Sequence, residues 1–171
     1  IVAAASSNAN TNVGMMGETF KYAAPLAGAL GYSAEDVALA IGLMANSGIK
    51  ASQAGTALRS MFTRLAKPTE ESATAMDAVG VSITNSDGSM KSLNEVLQDM
   101  RKGFSNLTEA EKTQYAAMLA GQEAMSGLLA IVNASDSDFE KLSSSINDCD
   151  GSTKRMADTM NDNLSGQITL L

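Results

Sequence analysis

Four helix-ending residues, Gly31, Gly48, Pro68 and Gly80, interrupt one stretch of this chain, leaving segments of 16, 19 and 11 residues between them. Glycine ends a helix because it enters the left-handed region without a Cβ penalty, and proline because it lacks the backbone donor and blocks the preceding turn. At 1.5 Å per residue the longest helix this stretch allows is about 28 Å. The chain must therefore turn back on itself repeatedly, and the reading is an all-α, compact multi-helix domain.

Starts accompany the stops. Asn12 can cap a helix running to about Gly31, although Pro25 lies inside it and predicts a kink or break there. Ser33 with Asp36, Ser92 with Glu95 and Thr108 with Glu111 match the capping-box spacing. Ser52 opens the helix that Pro68 ends, and Thr69 opens one with Glu70 and Glu71 in its first turn, where the helix dipole favours negative charge. Further helices are expected after Gly121 and from about Asp138 to Asp148, giving some eight in all. Residues 81–91 alternate in period two around the turn Asn85-Ser86-Asp87-Gly88. They read as a small β-hairpin, with a loose loop as the alternative.

The core must be built from small and aliphatic residues. Only 4% of the 171 residues are aromatic, none is Trp, and 11 are Met, whose flexible side chain fills irregular gaps. Val37, Ile41 and Met44, with Leu39 and Leu43 on a second side, predict a helix buried around most of its circumference. Leu58, Met61, Phe62 and Leu65 form one face of the next. Small-residue pairs, Ala24 with Gly28, Ala27 with Gly31 and Ala38 with Gly42, permit close helix approach.

Residues 1–151 thus read as one compact helical module. From residue 152 the pattern changes: Met156, Met160, Leu164, Ile168 and Leu171 are spaced 4, 4, 4 and 3, with polar residues between them. A single apolar stripe predicts the start of a longer helix that packs on one side only and continues beyond residue 171. The opening Ile1-Val2-Ala3-Ala4-Ala5, without a starting Met, reads as cut from within a longer protein.

Residue chemistry narrows the function. The chain has no His, which removes imidazole bases and imidazole metal ligands. Its one cysteine, Cys149, cannot form an internal bridge or a zinc site, and Asp148 and Asp150 beside it should raise its thiol pKa, so it reads as inert. Gly48-Ile49-Lys50 lacks the first glycine and the hydroxyl residue of a phosphate-binding loop. The turns at Asp87-Gly88 and Asp150-Gly151 resemble calcium loops, but Ile83 and Asn94, and Ile146 and Ala157, stand where the first and last carboxylates would be. Catalytic, cofactor-binding and metal residues are each expected to be none. A net charge of -7 opposes binding to a phosphate backbone, and Arg101-Lys102 and Lys154-Arg155 are the only adjacent basic pairs. The longest apolar runs, about nine residues, fall short of the roughly twenty that span a bilayer.

The segment 20–65 also resembles the core region of phage tail tape measure proteins. The resemblance is carried by Lys21, Tyr22 and Pro25, then Gly31-Tyr32-Ser33, the Gly48-Ile49-Lys50 break and Ala54-Gly55-Thr56-Ala57-Leu58-Arg59, and again by residues 155–166. It implies a structural component of a phage or prophage tail, involved in tail-length determination, tail assembly and DNA ejection, and not an enzyme. It implies a place in the virion tail lumen after synthesis in the bacterial host cytoplasm, with tail tube, tail tip or baseplate and assembly chaperones as partners, and self-association in the tail. A membrane-active genome-ejection module, making membrane contact through the small-residue helices, is the alternative. A cell-wall hydrolase using Glu70, Glu71, Glu109 or Glu111 ranks last.

Overall fold

The computed structural model describes residues 1–148. Among them are nine helices: α1 (Val2–Asn8), α2 (Val13–Ala29), α3 (Ala34–Asn46), α4 (Ala51–Ala66), α5 (Glu70–Val79), α6 (Leu93–Phe104), α7 (Glu109–Ala120), α8 (Met125–Val132) and α9 (Asp136–Asn147). The all-α expectation holds, with one helix more than the eight read from the sequence. Gly31, Gly48 and Gly80 take φ of 74°, 87° and 68° at the stops, and α4 ends just before Pro68. The apolar stripe of residues 156–171, and with it the predicted outgoing helix, lies outside the described residues.

Helix α3 is the centre of the fold. All nine residues from 37 to 45 are buried, and α1, α2, α4, α6, α8 and α9 pack around it. Helix α4 turns Leu58, Met61, Phe62 and Leu65 inward, none more than 1% exposed. Met16, Met44, Met61 and Met100 are buried with them, in keeping with Met as core filler. Helix α5 packs on α6 and α7, and α7 on α4 and α8, extending the core away from α3.

Helices approach one another at glycines. A Cβ on Gly55 of α4 would come within 2.7 Å of the Tyr22 Cβ and 3.1 Å of the Thr19 carbonyl of α2, and one on Gly127 of α8 within 2.9 Å of the Ala57 Cβ. One on Gly42 of α3 would strike Leu142 of α9, and one on Gly103 of α6 would strike the Val79 carbonyl at the end of α5. Of the small-residue pairs read from the sequence, only Ala38 with Gly42 is used in this way. A Cβ on Gly28 or Gly31 would meet nothing within 4 Å: Gly28 is exposed on α2, and Gly31 lies beyond its end.

Four local expectations are corrected. Pro25 does not break α2; it and Lys21, whose carbonyl loses its donor, are both exposed, so water can satisfy that carbonyl. The hairpin at 81–91 is reduced to one bridge, Thr84 with Met90. The bridge is flanked by the Lys91 amide on the Ile83 carbonyl at 2.9 Å and the Asn85 amide on the Ser89 carbonyl at 2.8 Å, and the Ser82 hydroxyl bonds the carbonyl and amide of Thr84, at 2.9 and 3.1 Å, on the side turned away from Met90. Helix α4 begins at Ala51 rather than being capped by Ser52; Lys50 is the extended residue before it, and no side chain caps it. Ala51 itself sits at φ 52°, and its carbonyl accepts from the fully buried Thr19 hydroxyl of α2 at 2.9 Å. Ser33 caps α3 through the Asp36 amide, but the Asp36 carboxylate reaches across to accept from the Asn94 amide of α6 at 3.2 Å.

The contact at Gly103 is backbone against Cα, so no side-chain rotation can relieve an added methyl. Gly103→Ala is expected to lower unfolding free energy by about 2 kcal/mol, read as a lower denaturant midpoint. An Ala variant as stable as the parent would mean that α5 and α6 are not this close.

Candidate functional surfaces

The carboxylates considered for acid–base work all sit on exposed helix first turns. Glu70 and Glu71 lie at the start of α5. At the start of α7, Glu111 Oε2 accepts from the Thr108 amide at 2.8 Å and its hydroxyl at 2.7 Å, and Glu109 pairs with Lys112 at 2.9 Å. The two bonds from Thr108 stabilise the ionised carboxylate and hold the Glu111 pKa below its usual value. Glu95 is lowered in the same way by the hydroxyl and amide of Ser92. A general acid at neutral pH needs the opposite shift, produced by burial or a neighbouring like charge.

The calcium-like turn at Asp87 is a closed local structure. Its Oδ1 accepts from the Ser89 hydroxyl at 2.6 Å and the Ser89 amide at 2.9 Å, and these bonds lower the Asp87 pKa. The second such turn extends beyond residue 148, and Cys149 and the Lys154-Arg155 pair also lie outside the described residues. Among the described residues no three His, Cys, Asp or Glu side chains come together as metal ligands. Lys50 bonds the Asn10 side chain at 3.0 Å across the α1–α2 connection. No helix among the described residues is long and apolar enough to cross a membrane.

Two arginines hold roles that sequence reading missed. Arg101 donates through one nitrogen to the Ile131 and Ala134 carbonyls, at 3.1 and 2.6 Å, and through the other to Asp136 at 2.6 Å. Its guanidinium also lies 4.8 Å from the centre of the Phe139 ring. It thereby caps the C-terminal end of α8 and ties it to the start of α9. It also borders a cleft of about 700 Å³ between α6 and α9, whose rim includes Lys102, Lys112 and Glu140. Arg64 of α4 donates to the Met118 carbonyl at 3.3 Å, and Ser60 to the Ala120 carbonyl at 2.7 Å, so α4 caps α7. Both arginines act on residues 30 or more positions away, beyond the reach of local patterns.

The two tyrosines of the identifying segment go opposite ways. Tyr32 is buried edge-on to Phe62, with ring centres 5.4 Å apart, its hydroxyl has no partner and burial raises its pKa. Tyr22 is 40% exposed, and Met15, on the same flank of α2, 38%, while Val13, on the opposite flank, is 51% exposed.

Comparison with known proteins gives the lineage. The family model for phage-related minor tail proteins matches residues 1–121. The chain is 38% identical to the tape measure protein of Pneumococcus phage Dp-1 over 98% of its own length and 15% of that protein. It is 31% identical to the probable tape measure protein of Escherichia phage P2 over 90% of its length and 19% of that protein. The chain thus spans less than a fifth of either relative. No solved structure matches it.

The capping carboxylates predict the direction of the acid response. A folded-state pKa below the unfolded one adds stability above the unfolded value, and that stability is lost as pH falls through the folded value. Because Glu95 and Glu111 are both lowered, stability should decline from about pH 5 downward. The double variant Glu95→Gln, Glu111→Gln should show a shallower decline in denaturant midpoint over that range. An unchanged slope would mean that these caps do not couple folding to protonation.

Proposed function

This chain belongs to the phage-related minor tail protein family, and from that premise we propose that it is the compact module of a tape measure protein, a structural component of a phage or prophage tail. The observation that carries the reading is the folding back of the chain around α3, in a segment similar to tape measure proteins along nearly its whole length. A ruler works by extension, each helical residue adding about 1.5 Å. A chain that stops its helices at Gly31, Gly48, Pro68 and Gly80 contributes little length for its residue count. Its role is to anchor or terminate extended helices that measure.

On this reading residues 1–151 are the module and residues 152–171 start the helical arm that joins it to the rest of the ruler. Among the described residues, Glu95 and Glu111 are engaged in helix caps, and Arg64 and Arg101 in bonds to helix C-termini. Its partners are other tail proteins and further copies of itself, and its acidic surface leaves it without affinity for the DNA that passes through the tail.

Solution scattering tests the division of labour. A folded module with a short arm should give a radius of gyration of about 16–20 Å, whereas the same chain as one continuous helix would approach about 70 Å. A rod-like profile would overturn the proposal.

A further inference from the structure

The segment 81–91 joins α5 to α6 as a short ribbon, and its residues 84–90 are all exposed. Its first half, Val81-Ser82-Ile83-Thr84, is rich in β-branched residues, and an exposed edge of that composition is a template on which another chain can pair. Thr84 and Met90 face each other between the two ladder bonds, Asn85 to Ser89 and Lys91 to Ile83. In an antiparallel pair so placed, each residue's own amide and carbonyl point out of the ribbon, one set along each edge.

Most of these outward groups are already held. Along the first edge, the Ser82 hydroxyl donates to the Thr84 carbonyl at 2.9 Å and accepts from the Thr84 amide at 3.1 Å. Along the second, the amide of Ser92 donates to Glu95 Oε2 at 2.8 Å and its carbonyl accepts from the Val96 amide at 3.1 Å, so both serve the start of α6. Among the described residues no hydrogen bond reaches the amide or carbonyl of Met90, and a single residue offers one reciprocal pair of bonds rather than a ladder. Thr84 is exposed, so water alone would satisfy its backbone. A side chain that takes both of its groups changes instead what another chain can reach.

We infer that Ser82 is an edge guard: its hydroxyl keeps the segment 82–84 from pairing with the same segment of a second copy of this chain. Two such edges meeting antiparallel would exchange bonds through the Thr84 amides and carbonyls, and that exchange is denied while the Ser82 Oγ holds both groups. Met90 is then the outward position left open, and copies that assemble do so through surfaces other than this edge. The inference does not depend on the segment being the module of a ruler.

Amide exchange and sedimentation of the full chain test it. Ser82→Ala and Ser82→Val should exchange the Thr84 amide about tenfold faster than the parent, while the Asn85 and Lys91 amides keep their protection. Both should also raise the self-association constant by about tenfold. Ser82→Thr, which keeps the hydroxyl, should behave as the parent. Adding Thr84→Pro to Ser82→Val removes the freed amide without touching either ladder bond, and should return association to the parent's level. Variants that keep the ribbon yet associate no more than the parent would overturn the inference, as would association that survives Thr84→Pro. Loss of Asn85 and Lys91 protection in both variants would overturn it too, because the hydroxyl would then be holding the ribbon together rather than guarding its edge.

Discussion

The burial of α3 on every side is the constraint from which the rest of the structure follows. A helix can be surrounded because its backbone groups bond within it, leaving only its ends to be satisfied. Six neighbours must then reach it, and α3 mixes residues that fill space, Val37, Leu39, Ile41, Leu43 and Met44, with residues that yield it, Ala38, Ala40, Gly42 and Ala45. Burying each of the larger side chains contributes about 1.5–3 kcal/mol. At Gly42 the gain comes instead from proximity, since Leu142 occupies the place of a side chain. With so few aromatic residues in the chain, close approach replaces bulk as the means of filling the core.

Short helices multiply ends, and each end exposes backbone groups that must be bonded. At N-termini the partners are local: Asn12, Ser33, Thr69, Ser92, Thr108 and Ser135 accept from amides three residues on. At C-termini they come partly from afar, Arg64 and Ser60 for α7 and Arg101 for α8. Much of the polar chemistry that might suggest a site is thus engaged in closing helices. Such end-to-side bonds tie neighbouring helices to one another, as the proposed anchoring role requires.

Much of this was legible in the sequence. The stops at Gly31, Gly48 and Gly80, the boxes at Ser92 and Thr108, and the buried face of α4 depend on neighbours within four residues, and local spacing reports them. The same rules misread Pro25, Ser52 and the segment 81–91. Around these positions the structure shows an exposed carbonyl at Lys21, a Thr19 hydroxyl 32 residues from its acceptor, and a Ser82 side chain folded onto the Thr84 backbone beside a single bridge. The Asp36 carboxylate likewise left its expected local partner for α6.

Local sequence determined that this chain is helical, where most helices begin and end, and that it carries little of the residue chemistry that enzymes and metal sites need, because capping, glycine stops and the missing imidazole act within a few residues. Only the tertiary structure decided which small residues are contacts and which tyrosine is buried. Those depend on which helix lies against which, and no single segment of the sequence contains that information.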